Sequence, residues 1–249
     1  MKVVILAGGF GTRLSEETHL IPKPMVEVGG KPLLWHIMKH YASYGFDDFL
    51  ILLGYKGYVI KEYFSNYFLH NSDIKVQLNT NEIEYKHQGN ENWTVQLIDT
   101  GLDTMTGGRI KQVQPYIQGD HFFLTYGDGI SDVNINDLLT FHLSQNTVCT
   151  LTGAQPEGRF GNLTITDNHV TSFVEKSPGE GSWVNGGFFV CKKEIFNYID
   201  DSSTIFEKEP LETLAHKKEL AIFKHNGFWK CMDTLRDKEQ LNNLFKKIN

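Results

Sequence analysis

Residues 2–13 read KVVILAGGFGTR, and this stretch decides the fold more than any other part of the chain. Its first half, from Lys2 to Leu6, has the continuous apolar pattern of a strand that is buried on both faces of a parallel sheet. The three glycines that follow carry no Cβ, so several backbone N–H groups of the turn can approach one polyanion. Arg13 and Lys23 add the fixed positive charge that a triphosphate requires. The stretch therefore predicts a strand and a loop that holds the phosphates of a nucleotide.

The glycine pattern differs from the two common phosphate-binding signatures. A dinucleotide fingerprint would need a third glycine at position 14, where the chain has Leu14, and this disfavours a nicotinamide-dependent oxidoreductase. A phosphate-loop NTPase would need Gly-Lys-Ser/Thr at the end of the loop, which is missing from the sequence. A tight turn in an unrelated α/β protein remains as the alternative. Arg13 and the segment Pro22-Lys23-Pro24-Met25 favour nucleotide binding over such a turn.

The composition is that of an ordinary globular protein and excludes some classes of partner. The chain has 249 residues, of which 40% are hydrophobic and 22% charged, and this length suits one large α/β domain. Its formal net charge of −6 argues against a general nucleic-acid binder or a binder of anionic membranes. Neither a nucleic acid nor a membrane is therefore expected as a partner.

Cysteine usage and the lack of a recognisable targeting segment favour a cytoplasmic location. Met1 is followed directly by the first strand, without a basic leader and an apolar signal core. No apolar run approaches the roughly 20 residues that span a bilayer. Cys149, Cys191 and Cys231 are widely spaced in apolar surroundings, which predicts buried free thiols in a reducing compartment.

Strand and helix patterns alternate through the first half of the chain. The predicted elements are a helix over 32–44, a strand over 49–53, a helix over about 58–68, a strand over 74–78, a β-ribbon from the alternating stretches 83–87 and 93–97, a helix within 106–117, a strand over 122–126, a helix over 135–144 and a strand over 148–153. Strands that alternate with helices predict an α/β protein with a Rossmann-like, mostly parallel sheet and helices on both faces.

After Gly161 the pattern changes to shorter elements. The predictions are a hairpin over 163–173, a strand over 188–191, two helices, a strand near 221–224 and a last helix from Leu235. Glu207, Glu209 and Glu212 are interpreted as a solvated acidic face. Because no linker, repeat or low-complexity stretch divides the sequence, a single domain over residues 1–249 is expected.

Two aspartates stand at positions that suit a metal ion. Asp128 follows a strongly apolar strand and lies between Gly127 and Gly129, at the end of the strand where parallel sheets bind ligands. Mg²⁺ binds through one or two carboxylates and phosphate oxygens, so Asp128 is a candidate ligand, with an ordinary turn aspartate as the alternative. Asp233 precedes the last helix. For this residue a helix cap and a metal ligand are both open from the sequence.

The order of several motifs resembles that of the sugar-1-phosphate nucleotidyltransferases. These motifs are Leu6–Leu14, Pro22–Met25, Gly29–Pro32, Tyr126–Gly129, Glu175-Lys176, Asn185–Gly187 and Met232–Thr234. Four others, Asp99–Gly101, Met105–Arg109, Arg159–Gly161 and Gly227–Trp229, are similar to those of the glucose-1-phosphate cytidylyltransferases within that family. The resemblance covers nearly the whole chain. It implies the nucleotide-diphospho-sugar transferase fold, with a nucleotide-binding part over about 1–155 and a small β-rich, sugar-binding part over about 156–249.

The resemblance also implies a reaction. The expected enzyme converts CTP and α-D-glucose 1-phosphate to CDP-glucose and pyrophosphate with Mg²⁺ as cofactor, and it is expected to form a homo-oligomer. A related enzyme that uses a different sugar 1-phosphate or nucleoside triphosphate is the alternative, and a silent subunit that only binds nucleotide is a second one. Because the attacking phosphate oxygen is already an anion at neutral pH, such a reaction needs positioning and charge neutralisation rather than a general base.

Individual roles follow from the same resemblance. The implied nucleotide-binding residues are Leu6, Ala7, Gly8, Gly9, Phe10, Gly11, Thr12, Arg13, Lys23, Thr104, Gly108, Arg109 and Asp128. The implied catalytic residues are Arg13 at the outer phosphates, Lys23 near the α-phosphate, and Asp128. Asp128 and Asp233 are the implied Mg²⁺ ligands, and Gly161, Glu175, Lys176 and Asn185 are the implied contacts to the sugar or its phosphate.

Overall fold

The computed structural model of the protein describes residues 1–12, 18, 20–87, 91–156, 162–167, 169–174 and 182–248. The strands of these residues are β1 (Val3–Ala7), β2 (Glu27–Val28), β3 (Lys31–Pro32), β4 (Asp48–Leu53), β5 (Ser72–Gln77), β6 (Glu82–His87), β7 (Thr94–Asp99), β8 (His121–Tyr126), β9 (Gly129–Ser131), β10 (Cys149–Ala154), β11 (Asn162–Thr166), β12 (His169–Val174), β13 (Val184–Lys192), β14 (Leu220–His225) and β15 (Trp229–Cys231). The α-helices span Leu33–Ala42, Gly57–Ser65, Tyr67–His70, Thr106–Gln112, Ile135–Gln145, Glu209–His216 and Leu235–Ile248. Short 3-10 helices span Lys23–Met25, Gln114–Tyr116 and Lys193–Tyr198.

Seven of these strands form a central sheet in the order β14-β10-β13-β8-β1-β4-β7. β1 is parallel to β4 and to β8, β4 is parallel to β7, and β10 is parallel to β14. β13 alone in this sheet of described strands runs antiparallel to its neighbours, β8 and β10. The prediction of a mostly parallel sheet is confirmed. Because β13 and β14 belong to the same sheet as β1, residues from both ends of the chain build one layer.

The sheet is covered on both faces, as its apolar strands require. All five residues of β1 are buried, and their side chains alternate between two cores. Val3 and Ile5 pack in one core with the helix Leu33–Ala42, whereas Val4 and Leu6 pack in the other with Ile110. The predicted arrangement of helices on both faces is therefore also confirmed.

The predicted β-ribbon within 82–98 is wrong in its partners. β6 pairs with the preceding strand β5, with Ile74 opposite Tyr85, while β7 joins the edge of the central sheet beside β4. The physical reason is burial: Val95 and Leu97 of β7 pack against the core, whereas Ile74, Val76 and Ile83 of the β5–β6 hairpin are exposed. Alternation alone did not distinguish a sheet edge from a projecting hairpin.

Two predicted helices differ in their bounds, and one predicted hairpin is present. The helix predicted over 32–44 begins at Leu33, because Pro32 belongs to β3, and the one predicted over 58–68 is divided into Gly57–Ser65 and Tyr67–His70. The predicted hairpin over 163–173 is confirmed as the antiparallel pair β11–β12. Among the described residues, the helices are too short or too polar to cross a membrane.

Candidate active site

The carboxyl ends of β1, β4, β7 and β8 meet at one edge of the central sheet. The turn after β1 lies beside the turn after β8, because the backbone N–H of Gly127 donates to the carbonyl of Leu6 at 2.9 Å. β15 then pairs with β9, with Cys231 opposite Gly129, and the N–H of Met232 donates to the carbonyl of Asp128 at 2.9 Å. This pairing brings the segment after β15 next to Asp128. The central sheet and the β9–β15 pair thus join segments that are far apart in the sequence.

Lys23 lies between the two aspartates that were predicted as metal ligands. Its Nζ atom is 2.7 Å from Oδ2 of Asp128 and 2.7 Å from Oδ1 of Asp233. Lys23 opens a short 3-10 helix between two prolines, and only 7% of its surface is exposed. Burial alone lowers the pKa of this ammonium, but the Asp128 carboxylate and the hydrogen bonds to both aspartates outweigh burial, and the pKa is raised above its ordinary value. The side chain is therefore a cation at neutral pH.

The acidic groups around Lys23 fit a hard divalent cation. One ligand atom each from Asp128, Cys231 and Asp233 lies within 4.8 Å of the others. Two neighbouring carboxylates are a donor set that Mg²⁺ uses, with phosphate oxygens among its other ligands. The thiol of Cys231 is a poor ligand for Mg²⁺, since soft sulfur prefers softer metals. The two carboxylates are thus the candidate ligands.

Cys231 departs from the prediction of three buried thiols. Cys149 and Cys191 are buried and face each other across β10 and β13, with their sulfur atoms 3.6 Å apart. Cys231 is only half-buried, because β15 runs along the rim of a cavity. The prediction of a buried thiol is wrong for this residue.

A first cavity, which we call the glycine-loop cavity, has a volume of about 500 Å³. Its walls are the loop Leu6–Thr12, the segment Leu102–Thr106, Arg109, Lys23-Pro24 and the turn Tyr126–Asp128. Thr104, which was predicted to contact the nucleotide, lies in this wall. Gly108 does not: a Cβ at this position would come within 2.5 Å of the Cα of Ser202, so this glycine serves the packing of its helix against the loop of Ser202.

Arg109 supports the glycine-loop cavity from behind. The residue is 4% exposed, and its guanidinium donates to the carbonyls of Leu53 at 2.9 Å, Gly101 at 2.7 Å and Leu102 at 3.1 Å, and to the hydroxyl of Thr100 at 2.6 Å. Burial lowers the pKa of Arg109, an effect that the nearby Asp99 opposes. These contacts hold the ends of β4 and β7 together. Arg109 therefore lines the glycine-loop cavity and also fixes the positions of the segments that form its wall.

The position of Arg109 also explains two of the glycines. A Cβ on Gly8 would lie 2.5 Å from Nη1 of Arg109, and a Cβ on Gly54 would collide with the same atom. Only a residue without a side chain leaves space for the guanidinium at these points. The glycine pattern that was interpreted as a phosphate loop is therefore, at Gly8, also a packing requirement.

A second cavity of about 450 Å³, which we call the Trp229 cavity, adjoins the first. Both cavities are lined by Tyr126 and Asp128, which form their junction. The other walls of the Trp229 cavity are the segment Val184–Phe188, Glu207, Trp229, Cys231 and Asp233. Asn185, which was predicted to contact a sugar, lies in this wall, and its amide donates to the hydroxyl of Tyr126 at 3.2 Å.

Sequence reasoning missed several residues of the Trp229 cavity. Glu207 was interpreted as part of a solvated acidic face, and its side chain is indeed exposed, but its carboxylate also lines the cavity and accepts hydrogen bonds from Tyr126 and Thr106. Trp229 and Tyr126 occur within motifs that the sequence pointed to, but neither received a role. Nothing in the local pattern around Glu207 distinguishes it from its acidic neighbours.

Four predicted site residues lie outside the described residues. These are Arg13, Gly161, Glu175 and Lys176. Their predicted roles stay predictions. Of the other predicted residues, the loop Leu6–Thr12, Lys23, Thr104, Arg109, Asp128, Asn185 and Asp233 all border the two cavities.

Comparisons with known proteins agree with this architecture. The sequence matches the Nucleotidyl transferase family over residues 2–242. It is 54% identical to the glucose-1-phosphate cytidylyltransferase of Salmonella typhimurium, over 99% of this chain and 96% of the relative. It is 44% identical to the probable glucose-1-phosphate cytidylyltransferase of Bacillus subtilis, over 99% of this chain and 97% of that protein.

Solved structures show the same fold. The putative glucose-1-phosphate thymidylyltransferase of Bacillus anthracis, crystallised with a sucrose, superimposes with a TM-score of 0.73 at 18% identity, over 100% of this chain and 96% of that chain. The sequence match spans nearly the whole chain, and the fold agrees with it. The chain belongs to the nucleotidyl transferase family, and its curated relatives place it with the glucose-1-phosphate cytidylyltransferases of that family.

Proposed function

We propose that this enzyme converts CTP and α-D-glucose 1-phosphate to CDP-glucose and pyrophosphate. The proposal takes its substrates from the relatives at 54% and 44% identity, whose names specify glucose 1-phosphate and a cytidylyl group. The observation that carries it in this chain is the position of Lys23, which lines the glycine-loop cavity and lies between the carboxylates of Asp128, at the junction of the two cavities, and Asp233, in the wall of the Trp229 cavity. Two anionic substrates repel each other, so a cationic group between them is needed to bring them together.

The two cavities give each substrate a place. We assign CTP to the glycine-loop cavity, where the main chain of Leu6–Thr12 offers N–H groups, and glucose 1-phosphate to the Trp229 cavity. Polar side chains such as Asn185 and Glu207 face the Trp229 cavity, as a sugar with several hydroxyls requires. Asp128 and Tyr126 border both, so the reacting phosphates would meet beside them.

The reaction is an in-line displacement at the α-phosphorus of CTP. A phosphate oxygen of glucose 1-phosphate forms the new P–O bond, the bond to the bridging oxygen of the β-phosphate breaks, and pyrophosphate leaves with that electron pair. Lys23 keeps its proton because its pKa is raised, and its ammonium stabilises the charge that builds on the transferred phosphate. We assign the same role at the outer phosphates to Arg13. No proton has to be removed from the attacking oxygen.

The carboxylates of Asp128 and Asp233 fit Mg²⁺, as described above, and we propose that they hold it. When bound, the ion would supply positive charge that lowers the repulsion between the two substrates. Lys23 would then exchange part of its contact with the carboxylates for contact with phosphate. Glu175, Lys176 and Gly161 are proposed as further sugar-phosphate contacts on the strength of the family resemblance. A cytoplasmic location and a homo-oligomer likewise remain proposals.

Pyrophosphate release measured with four nucleoside triphosphates and several sugar 1-phosphates tests the function. We expect kcat/KM to be highest by at least about 10-fold for CTP with glucose 1-phosphate, since a few hydrogen bonds to the base and the sugar decide such preferences. We also expect turnover to stop when EDTA removes divalent cations. A higher kcat/KM for another nucleotide or sugar phosphate would assign the chain to that substrate pair, and binding without single-turnover product would indicate a silent subunit.

A further inference from the structure

The carboxylate of Glu207 connects the two cavities. Its Oε2 accepts a hydrogen bond from the hydroxyl of Thr106 at 2.6 Å, and its Oε1 accepts one from the hydroxyl of Tyr126 at 2.7 Å. Thr106 lines the glycine-loop cavity, Tyr126 lines both cavities, and Glu207 itself lines the Trp229 cavity. Glu207 is more than 100 residues from Thr106 in sequence, so only the fold creates this arrangement.

The contacts around Glu207 fix the direction of each hydrogen bond. Thr106 accepts from the backbone N–H of Phe206 at 2.9 Å, so its own proton is directed to Glu207. The phenol of Tyr126 donates its one proton to Glu207 at 2.7 Å, while its oxygen accepts from the amide of Asn185 at 3.2 Å. The carboxylate is held in place by two donors.

A carboxylate held in this way is a strong acceptor for a further donor. Each of its oxygens has two lone pairs, and the hydrogen bonds above use one on each side. A phosphate is disfavoured as its partner, because both groups are anions and repel each other. The neutral hydroxyl of a sugar can approach it, and a hydrogen bond to a charged acceptor is stronger than one to a neutral acceptor.

We propose that Glu207 accepts a hydrogen bond from one hydroxyl of the bound sugar phosphate, and that this bond makes Glu207 a specificity-determining residue. The inference rests on the proposed function for the class of substrate. The inference goes beyond the proposed function because it names the acceptor of the hydrogen bond and its consequence. The consequence is that the enzyme rejects sugar phosphates that lack this hydroxyl. The negative charge also orients the substrate, since it favours the neutral end of the sugar phosphate over the phosphate at this wall of the cavity.

The test compares glucose 1-phosphate with its 2-, 3-, 4- and 6-deoxy analogues in the native enzyme and in Glu207→Gln. In the native enzyme, we expect kcat/KM for one analogue to fall by about 10²-fold, because that analogue cannot form the hydrogen bond to the charged acceptor. In Glu207→Gln, we expect kcat/KM for glucose 1-phosphate to fall by a similar factor, whereas kcat/KM for that one analogue stays at its value in the native enzyme. For the other three analogues, we expect the ratio of kcat/KM to that of glucose 1-phosphate to be the same in the variant and in the native enzyme.

Glu209→Gln is the matched control. Glu209 is an exposed glutamate two residues away, at the start of the helix Glu209–His216, and it lines neither cavity. This variant removes the same charge from the same segment, and we expect it to keep the native kcat/KM for every analogue. If Glu207→Gln does not fold, Glu207→Asp replaces it in the comparison, because the shorter side chain keeps the charge and withdraws the acceptor.

Three outcomes would overturn the proposal. They are an unchanged kcat/KM for glucose 1-phosphate in Glu207→Gln, an equal loss on glucose 1-phosphate and on all four analogues, and native discrimination retained in the variant. The second result is the one expected if Glu207 only held Tyr126 and Thr106 in place. A failure of the proposed function can be distinguished from a failure of the proposal on Glu207. In the first case the native enzyme would prefer another sugar phosphate, and the same test would then be made with the deoxy analogues of that sugar phosphate.

Discussion

The two adjoining cavities are built from different parts of the chain. The glycine-loop cavity takes much of its wall from the main chain of one continuous loop, Leu6–Thr12, with Arg109 packed behind it. The Trp229 cavity takes its polar groups from side chains that come from separate segments, among them Asn185, Glu207 and Asp233. A wall made of main chain is specified by a local pattern of residues, whereas a wall made of side chains depends on the topology that brings the segments together.

The largest effect is expected from Lys23→Ala, because Lys23 contacts Asp128 at the junction of the two cavities. Loss of the ammonium removes a cation from the reacting phosphates, and we expect kcat to fall by about 10³-fold, as for the loss of other preorganised charge stabilisers. It also leaves Asp128 and Asp233 facing each other without their shared cation. Because Mg²⁺ can relieve that repulsion, we expect Mg²⁺ to raise the melting temperature of the variant more than that of the native protein.

Lys2→Ala is the control for this prediction. Lys2 also pairs with a carboxylate, that of Asp48 at 2.8 Å, but this pair lies at the amino ends of β1 and β4, away from both cavities. We expect native kcat and a native response to Mg²⁺ in this variant. Turnover is measured by pyrophosphate release, and melting is followed with Mg²⁺ and with EDTA. Near-native turnover in Lys23→Ala would show that Lys23 takes no part in the mechanism. It would also show that no cation at this position is needed to bring the substrates of the two cavities together.

A second pair of variants tests whether the wall of the glycine-loop cavity is set by packing. In Gly8→Ala the new methyl group would lie 2.5 Å from Nη1 and 2.6 Å from Cζ of Arg109, and 2.9 Å from the backbone N of Gly54. We expect the free energy of unfolding to fall by about 2 kcal/mol, because overpacking of this kind costs roughly 1–3 kcal/mol. The measurement is urea denaturation of the protein without substrates.

Gly9→Ala serves as the comparison, since a Cβ at Gly9 would have no neighbour within 4 Å and its φ is not positive. We expect its free energy of unfolding to stay within about 0.5 kcal/mol of the native value, as for other unconstrained positions. Its effect on CTP binding is a separate matter, because the proposal places this residue against the nucleotide. An equal loss of stability in both variants would mean that the loop is not held by Arg109.

The difference between the cavities also explains how far the sequence could predict this molecule. The apolar run of β1 and the glycines after it predicted the buried strand and the loop, because both are local features. Asp128 was predicted for the same reason, as it is the first acidic residue after the apolar strand β8. The partners of β6 could not be predicted, since alternation says which face of a strand is apolar but not which strand lies beside it.

Long-range contacts account for the rest. Arg109 was predicted to contact the nucleotide, but the sequence gives no sign that its guanidinium binds the carbonyls at the ends of β4 and β7. Glu207 was set aside because charged residues near a helix start are commonly solvated. Its two donors, Tyr126 and Thr106, come from other segments, so only the folded chain shows that its carboxylate lines a cavity.

The smallest effect is expected from Trp229→Phe, which tests how independent the two cavities are. The indole Nε1 of Trp229 donates to the carbonyl of Gly186 at 2.7 Å, and Gly186 follows Asn185 in the wall of the Trp229 cavity. Phenylalanine keeps most of the apolar packing of the ring but cannot donate this hydrogen bond. We expect the free energy of unfolding to fall by about 1 kcal/mol, the usual contribution of one such bond.

The kinetic consequence of Trp229→Phe should be confined to one substrate. A carbonyl without its donor lets the segment beside Asn185 move, so we expect KM for glucose 1-phosphate to rise about 3- to 5-fold, which corresponds to roughly 1 kcal/mol. KM for CTP should stay at its native value, because Trp229 does not line the glycine-loop cavity. Initial rates with each substrate varied at saturating concentrations of the other measure both constants. A parallel rise in both would show that side chains of the Trp229 cavity also set the shape of the glycine-loop cavity through the Tyr126 and Asp128 junction.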